Sequence, residues 1–288
     1  MSAIFDEYKQ MDDLRVFKPI HCRDLSQSQN SQVLNAIDLI KQKQCGKIKG
    51  RTVADRRKQR DIYTKSQTSS PTLSLDGFIT SLMIDAAEER HVATADVAGV
   101  FLKAEMDDFV VVKLQGPAVG ALININKERY STHVLNEKGK VVLYVRLLKA
   151  MYCALKAPLL WYTLFAKTLR ENGFEINPYD KCVASKTING SQFTICWYVD
   201  DIKFSHKDKN VVVEEVTKIE KKIDKMTTTC GNKHMYLGMN LEIKGKAIIM
   251  EMKEYLEDCI QDFPEKIDTA AKTPSTKTLG SQLEGEIP

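Results

Sequence analysis

What the chain lacks narrows the field. No apolar run approaches the roughly 20 residues needed to cross a bilayer, so no membrane-spanning helix and no membrane partner are expected. The first residues, Met1 to Lys9, lack the basic-then-apolar design of a secretory signal. Histidine is scarce and scattered, with five in the chain, and none is needed for the chemistry reached below. Seven cysteines, at 22, 45, 153, 182, 196, 230 and 259, are odd in number, and no two have C-x-x-C spacing. That pattern suggests neither a zinc site nor a disulfide framework and leaves reduced thiols, the default of cytosolic and nuclear proteins.

What is present fits a folded domain. At 288 residues the chain can bury one large core or two smaller ones. A hydrophobic share of 43% with 28% charged residues is ordinary for a soluble globular protein. The net charge of +4 says little, but its distribution says more: residues 41–60 hold nine Lys or Arg against the single Asp55. Such a run is either a solvated face or an electrostatic footprint for phosphates.

Periodicity places the elements. A helix is predicted over 31–41 from the apolar positions 33, 34, 37 and 40, and a second from Leu75 to about Arg90. A strand follows, ending at Asp96. Residues 103–150 read as a β-rich insertion, with strands at 109–114 and 141–147 broken by Gly116-Pro117 and Lys138-Gly139-Lys140. Pro158 opens a helix that Gly173 stops. A meander of strands at 181–187, 192–198 and 202–206 turns at Asn189-Gly190 and at Asp200-Asp201. A helix over 211–226, a hairpin over 235–252 and a helix near 253–263 complete the pass. Strand, helix, paired strands, helix, strand is the split βαβ plan of ferredoxin-like α+β domains.

An Asp-Asp pair at a hairpin tip is by itself an ordinary solvated turn. In the split βαβ plan, however, the first strand and the hairpin lie in one sheet, so Asp96 can converge with Asp200 and Asp201. A carboxylate at one strand end and a pair on the neighbouring hairpin are the minimum set for holding two Mg²⁺ ions, as nucleotidyl transfer requires. The same set suits a metal-dependent nuclease.

The ordered motifs resemble the reverse transcriptase of copia-type LTR retrotransposons over roughly Lys47 to Pro274. Asp96-Val97-x-x-x-Phe101-Leu102 is similar to the first catalytic block, and Tyr152-x-x-x-x-Ala157-Pro158-x-x-Trp161-Tyr162 to the template- and nucleotide-positioning block. Tyr198-Val199-Asp200-Asp201 resembles the polymerase signature, and Tyr236-Leu237-Gly238-Met239 the primer-grip block. Lys49-x-Arg51-x-Val53-Ala54 and Ser70-Pro71 are similar to blocks of the fingers.

The resemblance implies an α+β polymerase right hand with a ferredoxin-like palm. Fingers would lie over 1–88, the palm over 89–252 with a fingers insertion at 103–150, and a truncated thumb over 253–288. It implies RNA-directed DNA polymerisation from dNTP on an RNA template and a DNA primer, with Asp96, Asp200 and Asp201 holding Mg²⁺ or, in its place, Mn²⁺. Lys49, Arg51, Phe101, Tyr152 and Lys156 would meet the nucleotide, with Phe101 under the sugar. Tyr198, Leu237, Gly238 and Met239 would meet the primer and template. The remainder of a retrotransposon polyprotein would be a partner, in a cytoplasmic virus-like particle or, as a second setting, the nucleus.

Two departures stand out. Cys153 occupies a position where the family reads glycine, and Arg56 another where glycine is common. Together with the short thumb and the lack of a ribonuclease H, protease or integrase region, they leave open a catalytically impaired nucleic-acid-binding remnant. A ferredoxin-like RNA-binding module is a further alternative, although its aromatic signature is absent.

Overall fold

A computed structural model describes residues 2–42, 46 and 48–264. Lys43, Cys45, Lys47 and the Thr273-Pro274 pair, which belong to the basic stretch, the cysteine set and the expected thumb, lie outside them. From the N-terminus the chain forms α1 (Ser2–Asp13), β1 (Phe17–Ile20), α2 (Gln27–Ser31), β2 (Leu34–Gln42), β3 (Ile48–Ala54), α3 (Lys65–Thr68) and α4 (Leu75–Ala87). Next come β4 (His91–Val97), β5 (Val111–Gln115), α5 (Pro117–Ile125), α6 (Lys127–Tyr130), β6 (Val134–Glu137), β7 (Lys140–Leu147) and α7 (Ala157–Glu171). Then follow β8 (Glu175–Ile176), β9 (Val183–Ile188), β10 (Ser191–Tyr198), β11 (Asp201–His206), α8 (Lys209–Ile223), β12 (Met226–Cys230), β13 (Lys233–Tyr236), β14 (Met239–Lys244), β15 (Ala247–Glu251) and α9 (Lys253–Gln261).

The sheet that carries the acids runs β12-β4-β11-β10-β9-β8. Numbering β4, β10, β11 and β12 as the four strands of a split βαβ unit, with α7 and α8 as its helices, gives the order 4-1-3-2. This is the ferredoxin-like arrangement expected from the sequence. Val92 to Ala95 of β4 and Phe193 to Trp197 of β10 are buried without alternation, because protein covers both faces of the sheet. Trp161, Phe165 and Leu169 recur every fourth residue on α7 and enter the same core, and Gly173 at φ 80° ends the segment with the left-handed backbone that L side chains disfavour. Leu73, Phe78 and Leu82 join this core although they precede residue 89.

A second sheet, β1-β7-β5-β2-β3 with β6 beside β7, makes its own core with α1 and α5 around Tyr8, Phe17, Leu122, Tyr130 and Val145. A third, β13-β14-β15, is a small meander. Among the described residues no helix is long and apolar enough to cross a membrane, and no disulfide joins the described cysteines.

Four elements differ from expectation. The 31–41 segment is not a helix. It is chiefly strand β2, paired antiparallel to β3 and in parallel to β5. Helix α1 lies in a region where no helix was expected. Gly116-Pro117 does end β5, at Gln115, but what it opens is the unexpected helix α5, with proline in the first turn, where its missing N–H costs nothing. The helix expected to reach 226 ends at Ile223, Asp224 takes φ 90°, and Met226–Cys230 adds a strand beside β4.

Candidate active site

Asp96 is the penultimate residue of β4 and Asp201 the first of β11, and the two are registered antiparallel partners. Side chains opposite one another across such a pair share a face, with Cβ atoms about 4.5–5.5 Å apart, and like charges so placed repel. Asp200 precedes Asp201 in the two-residue turn that joins Tyr198 to Asp201. Its carbonyl accepts from Val97 N at 3.2 Å, tying the turn back to β4. Val199, the other turn residue, is held at φ 54°, an unfavourable conformation for a β-branched side chain. Buried Trp161 fixes it there, its indole Nε1 donating to Val199 O at 2.7 Å.

The electrostatics follow from this crowding. Desolvation first, then the charge of Asp96, pushes the Asp200 carboxyl above its ordinary range, while Arg51 and Lys49 pull it back. Asp201 is pushed up to about 6 by desolvation, then by Asp200 and Asp96. The three acids therefore share one field. They do not form a closed cage, since no group of three or more His, Cys, Asp or Glu among the described residues is gathered tightly enough to enclose an ion. Their all-oxygen donor set nevertheless fits Mg²⁺, which keeps waters and binds through one or two carboxylates plus substrate phosphates. Asp96, Asp200 and Asp201 are the residues that would hold it.

Lys49 and Arg51 are alternate residues of β3, so both side chains leave one face of the strand. Their charges reach Asp200. The Arg51 guanidinium lies 4.3 Å over the Tyr152 ring, and Phe101 meets the same ring edge-on with centroids 5.4 Å apart. These four residues thus assemble with the acids. Glu7 of α1, absent from the sequence-based set, joins them: it is buried, accepts from Thr52 N at 3.3 Å, and feels the charges of Lys49 and Arg51. Gly50 makes this possible, because a Cβ there would stand 2.5 Å from Ala3 O. The apolar spacing of Ile4, Tyr8 and Met11 was the available sign of α1, and nothing in it singles out Glu7.

The Lys156 Nζ lies 2.6 Å from Asp107 and 3.0 Å from Asp108, over the Tyr63 ring. Cys153 is exposed with φ 65°, so glycine at this position meets a conformational demand.

Tyr198 is exposed beside the acidic turn. Leu237 and Gly238, at φ 52° and 74°, form the two-residue turn between β13 and β14, the geometry of a type I′ hairpin. Leu237 and Met239 pack partly onto the core that holds the acidic strands. Tyr236 anchors the hairpin there, its hydroxyl 3.3 Å from Cys196 O and 3.5 Å from Asp201 O.

The chain is 24% identical over 267 residues to the Transposon Ty1-LR2 Gag-Pol polyprotein of Saccharomyces cerevisiae, covering 90% of this chain and 14% of that polyprotein. It is 22% identical over 231 residues to the retrovirus-related Pol polyprotein from transposon TNT 1-94 of Nicotiana tabacum, covering 79% and 16%. The chain thus spans about one-seventh of the length of these relatives. Among solved structures it is similar to the foamy viral protease-reverse transcriptase in complex with RNA/DNA hybrid, with a TM-score of 0.42, 15% identity and coverage of 81% of this chain and 25% of that one. A second foamy viral form, in complex with double-stranded DNA, gives a TM-score of 0.44, 15% identity and coverage of 89% and 35%. The family model described as "Reverse transcriptase (RNA-dependent DNA polymerase)" matches residues 32–277. The chain belongs to that reverse transcriptase family, in its copia-type retrotransposon branch.

Proposed function

We propose that this chain performs RNA-directed DNA synthesis, joining dNTP to the 3′-hydroxyl of a DNA primer on an RNA template. The observation that carries this is the facing pair Asp96 and Asp201 with Asp200 beside them, opposite the cations Lys49 and Arg51. Anions alone would repel a triphosphate, and cations alone could not hold a metal. Both signs on facing elements suit a metal–triphosphate complex.

In this reading Asp96 and Asp200 are the principal metal ligands, and Asp201 adds negative charge. When bound, Mg²⁺ activates the primer hydroxyl and neutralises charge on the triphosphate. Arg51 grips phosphate oxygens in a bidentate manner and Lys49 acts as a point charge. Phe101, braced by Tyr152, lies under the sugar and rejects a 2′-hydroxyl by clash. Lys156 acts indirectly, through its ion pairs with Asp107 and Asp108, by holding the segment that bears Tyr152. Tyr198 and the Leu237-Gly238-Met239 turn hold the primer end and the template.

Residues 89–252 serve as palm and 1–88 with 103–150 as fingers, with α4 riding on the palm core. Residues 253–264 begin a thumb; the rest of the expected 253–288 segment lies outside the described residues. The chain works as part of a longer retrotransposon polyprotein in a cytoplasmic virus-like particle, as its resemblance to Gag-Pol polyproteins suggests. The test is primer extension by the purified chain on primed RNA with dNTP and Mg²⁺. Template-complementary extension that chelator abolishes and added Mg²⁺ restores is expected. No extension on either an RNA or a DNA template overturns the reading.

A further inference from the structure

The hairpin β13–β14 is fastened to both acid-bearing strands by groups that the proposed chemistry leaves unused. Among the described residues β13 is laddered only to β14, so no main-chain hydrogen bonds of a sheet join it to β4 or β11. Side chains make the connection instead. On the β11 side it is Tyr236, whose ring stacks on Phe78 at 5.1 Å. On the β4 side it is His234, with Nδ1 3.1 Å from Thr94 Oγ1 and Nε2 2.8 Å from Gly231 O.

The proton positions follow from the partners. A carbonyl only accepts, so Nε2 carries the hydrogen and donates to Gly231 O. With the hydrogen on Nε2, Nδ1 is the acceptor for the Thr94 hydroxyl, and burial, followed by the charge of Lys203, pushes the imidazole below its ordinary range. Both ring nitrogens are satisfied, and His234 and Thr94 are 4% and 6% exposed. Thr94 stands two residues before Asp96, hence on the same face of β4. The bond is directional and lies close to an acid, which a merely space-filling contact would not require.

We propose that His234 is a positioning residue: with Thr94 it latches the Leu237-Gly238 turn to the strand that bears Asp96, fixing the primer-holding tip relative to the acids. The catalytic consequence rests on the polymerase reading above. The latch itself is a property of the fold.

The test uses the full chain and two readouts. Thr94→Val removes the hydroxyl at nearly constant shape, Thr94→Ser keeps it, and His234→Gln keeps one donor and one acceptor. The first readout is amide hydrogen exchange, which needs no activity. Thr94→Val should speed exchange across 233–241 about fivefold, the factor corresponding to one lost buried hydrogen bond. Thr94→Ser and His234→Gln should stay near wild type, and β9–β10 should be unchanged. The second is single-turnover extension, where Thr94→Val should lower the maximal rate about fivefold with KM for dNTP unchanged, and Thr94→Ser should recover it.

Unchanged exchange across the hairpin, or an equal rise in β9–β10, overturns the latch. Faster hairpin exchange with an unaltered extension rate overturns the positioning role. If the wild-type chain extends no primer, the polymerase reading fails, and the exchange experiment alone decides the latch.

Discussion

The indole Nε1 of Trp161 donates to Val199 O across 2.7 Å, tying helix α7 to the residue at positive φ in the acidic turn. A strained turn persists only where its surroundings hold it, and this bond is the holding group. Trp161→Phe keeps most of the apolar contact but removes the donor. The expected result is a stability loss of about 2 kcal/mol, combining a lost hydrogen bond with a small cavity, and a drop of about tenfold in nucleotide incorporation as the turn relaxes. Urea unfolding and primer extension, measured on the same preparation, check the two effects.

Cys153 bears on how far the chain departs from its family. At φ 65° it accepts left-handed backbone without glycine's freedom. Because the side chain is exposed, little packing offsets that strain. Cys153→Gly should therefore stabilise the chain by about 1 kcal/mol, the usual size of the left-handed penalty. A urea midpoint that moves upward with unchanged slope is the expected outcome.

Behind the acids, Lys203 forms an ion pair with Asp85 in which both side chains are essentially inaccessible to water. Removing Lys203 leaves Asp85 only the more distant Arg90, 4.0 Å away and equally buried. Lys203→Met alone should cost about 3–5 kcal/mol, whereas Lys203→Met combined with Asp85→Leu should recover most of the loss. A double-mutant cycle followed by chemical unfolding measures this coupling.

The second sheet supplies a pH prediction. Lys113, then Tyr144, hydrogen-bond to Glu137 and hold its carboxyl below the ordinary value of 4.5. A carboxyl depressed on folding stabilises the protein above its unfolded value, and that contribution disappears as pH falls through the folded value. Glu137→Gln should thus be less stable than wild type at pH 7. The difference should shrink below about pH 4.5 and vanish in stronger acid, as unfolding midpoints across pH would record.

Much of this was legible in the sequence because local chemistry and tertiary role coincide. Asn189-Gly190 makes the turn its composition favours, the Trp161–Leu169 stripe of α7 is both helical in period and buried, and the β4 run ends one residue past its acid. Legibility failed where distant pairing decides. Val33, Leu34, Ile37 and Ile40 satisfy a helical period, yet β2 is set by β3 and by parallel contact with β5, 78 residues away in the register of Leu34 with Val112. The threonine-rich Met226–Cys230 run carried a strand signal, but the charged helix before it masked the boundary. At the site, the acids and Lys49 and Arg51 were readable as motifs. Glu7 was not, because its role comes from the close approach of α1 to Gly50. The ion pairs of Lys156 were not legible either, since its partners Asp107 and Asp108 lie 49 and 48 residues away.

The proposed reaction requires that Asp96 and Asp200 jointly hold the metal used in nucleotide addition. It is tested most directly by Mg²⁺-dependent incorporation of a single dNTP on primed RNA by wild type, Asp96→Asn and Asp200→Asn, with folding of each variant verified by its unfolding midpoint. Either substitution should lower incorporation at least a thousandfold, roughly 4 kcal/mol in the barrier, while primer–template binding persists. Folded Asp96→Asn or Asp200→Asn proteins that extend primer at near wild-type rates would contradict it.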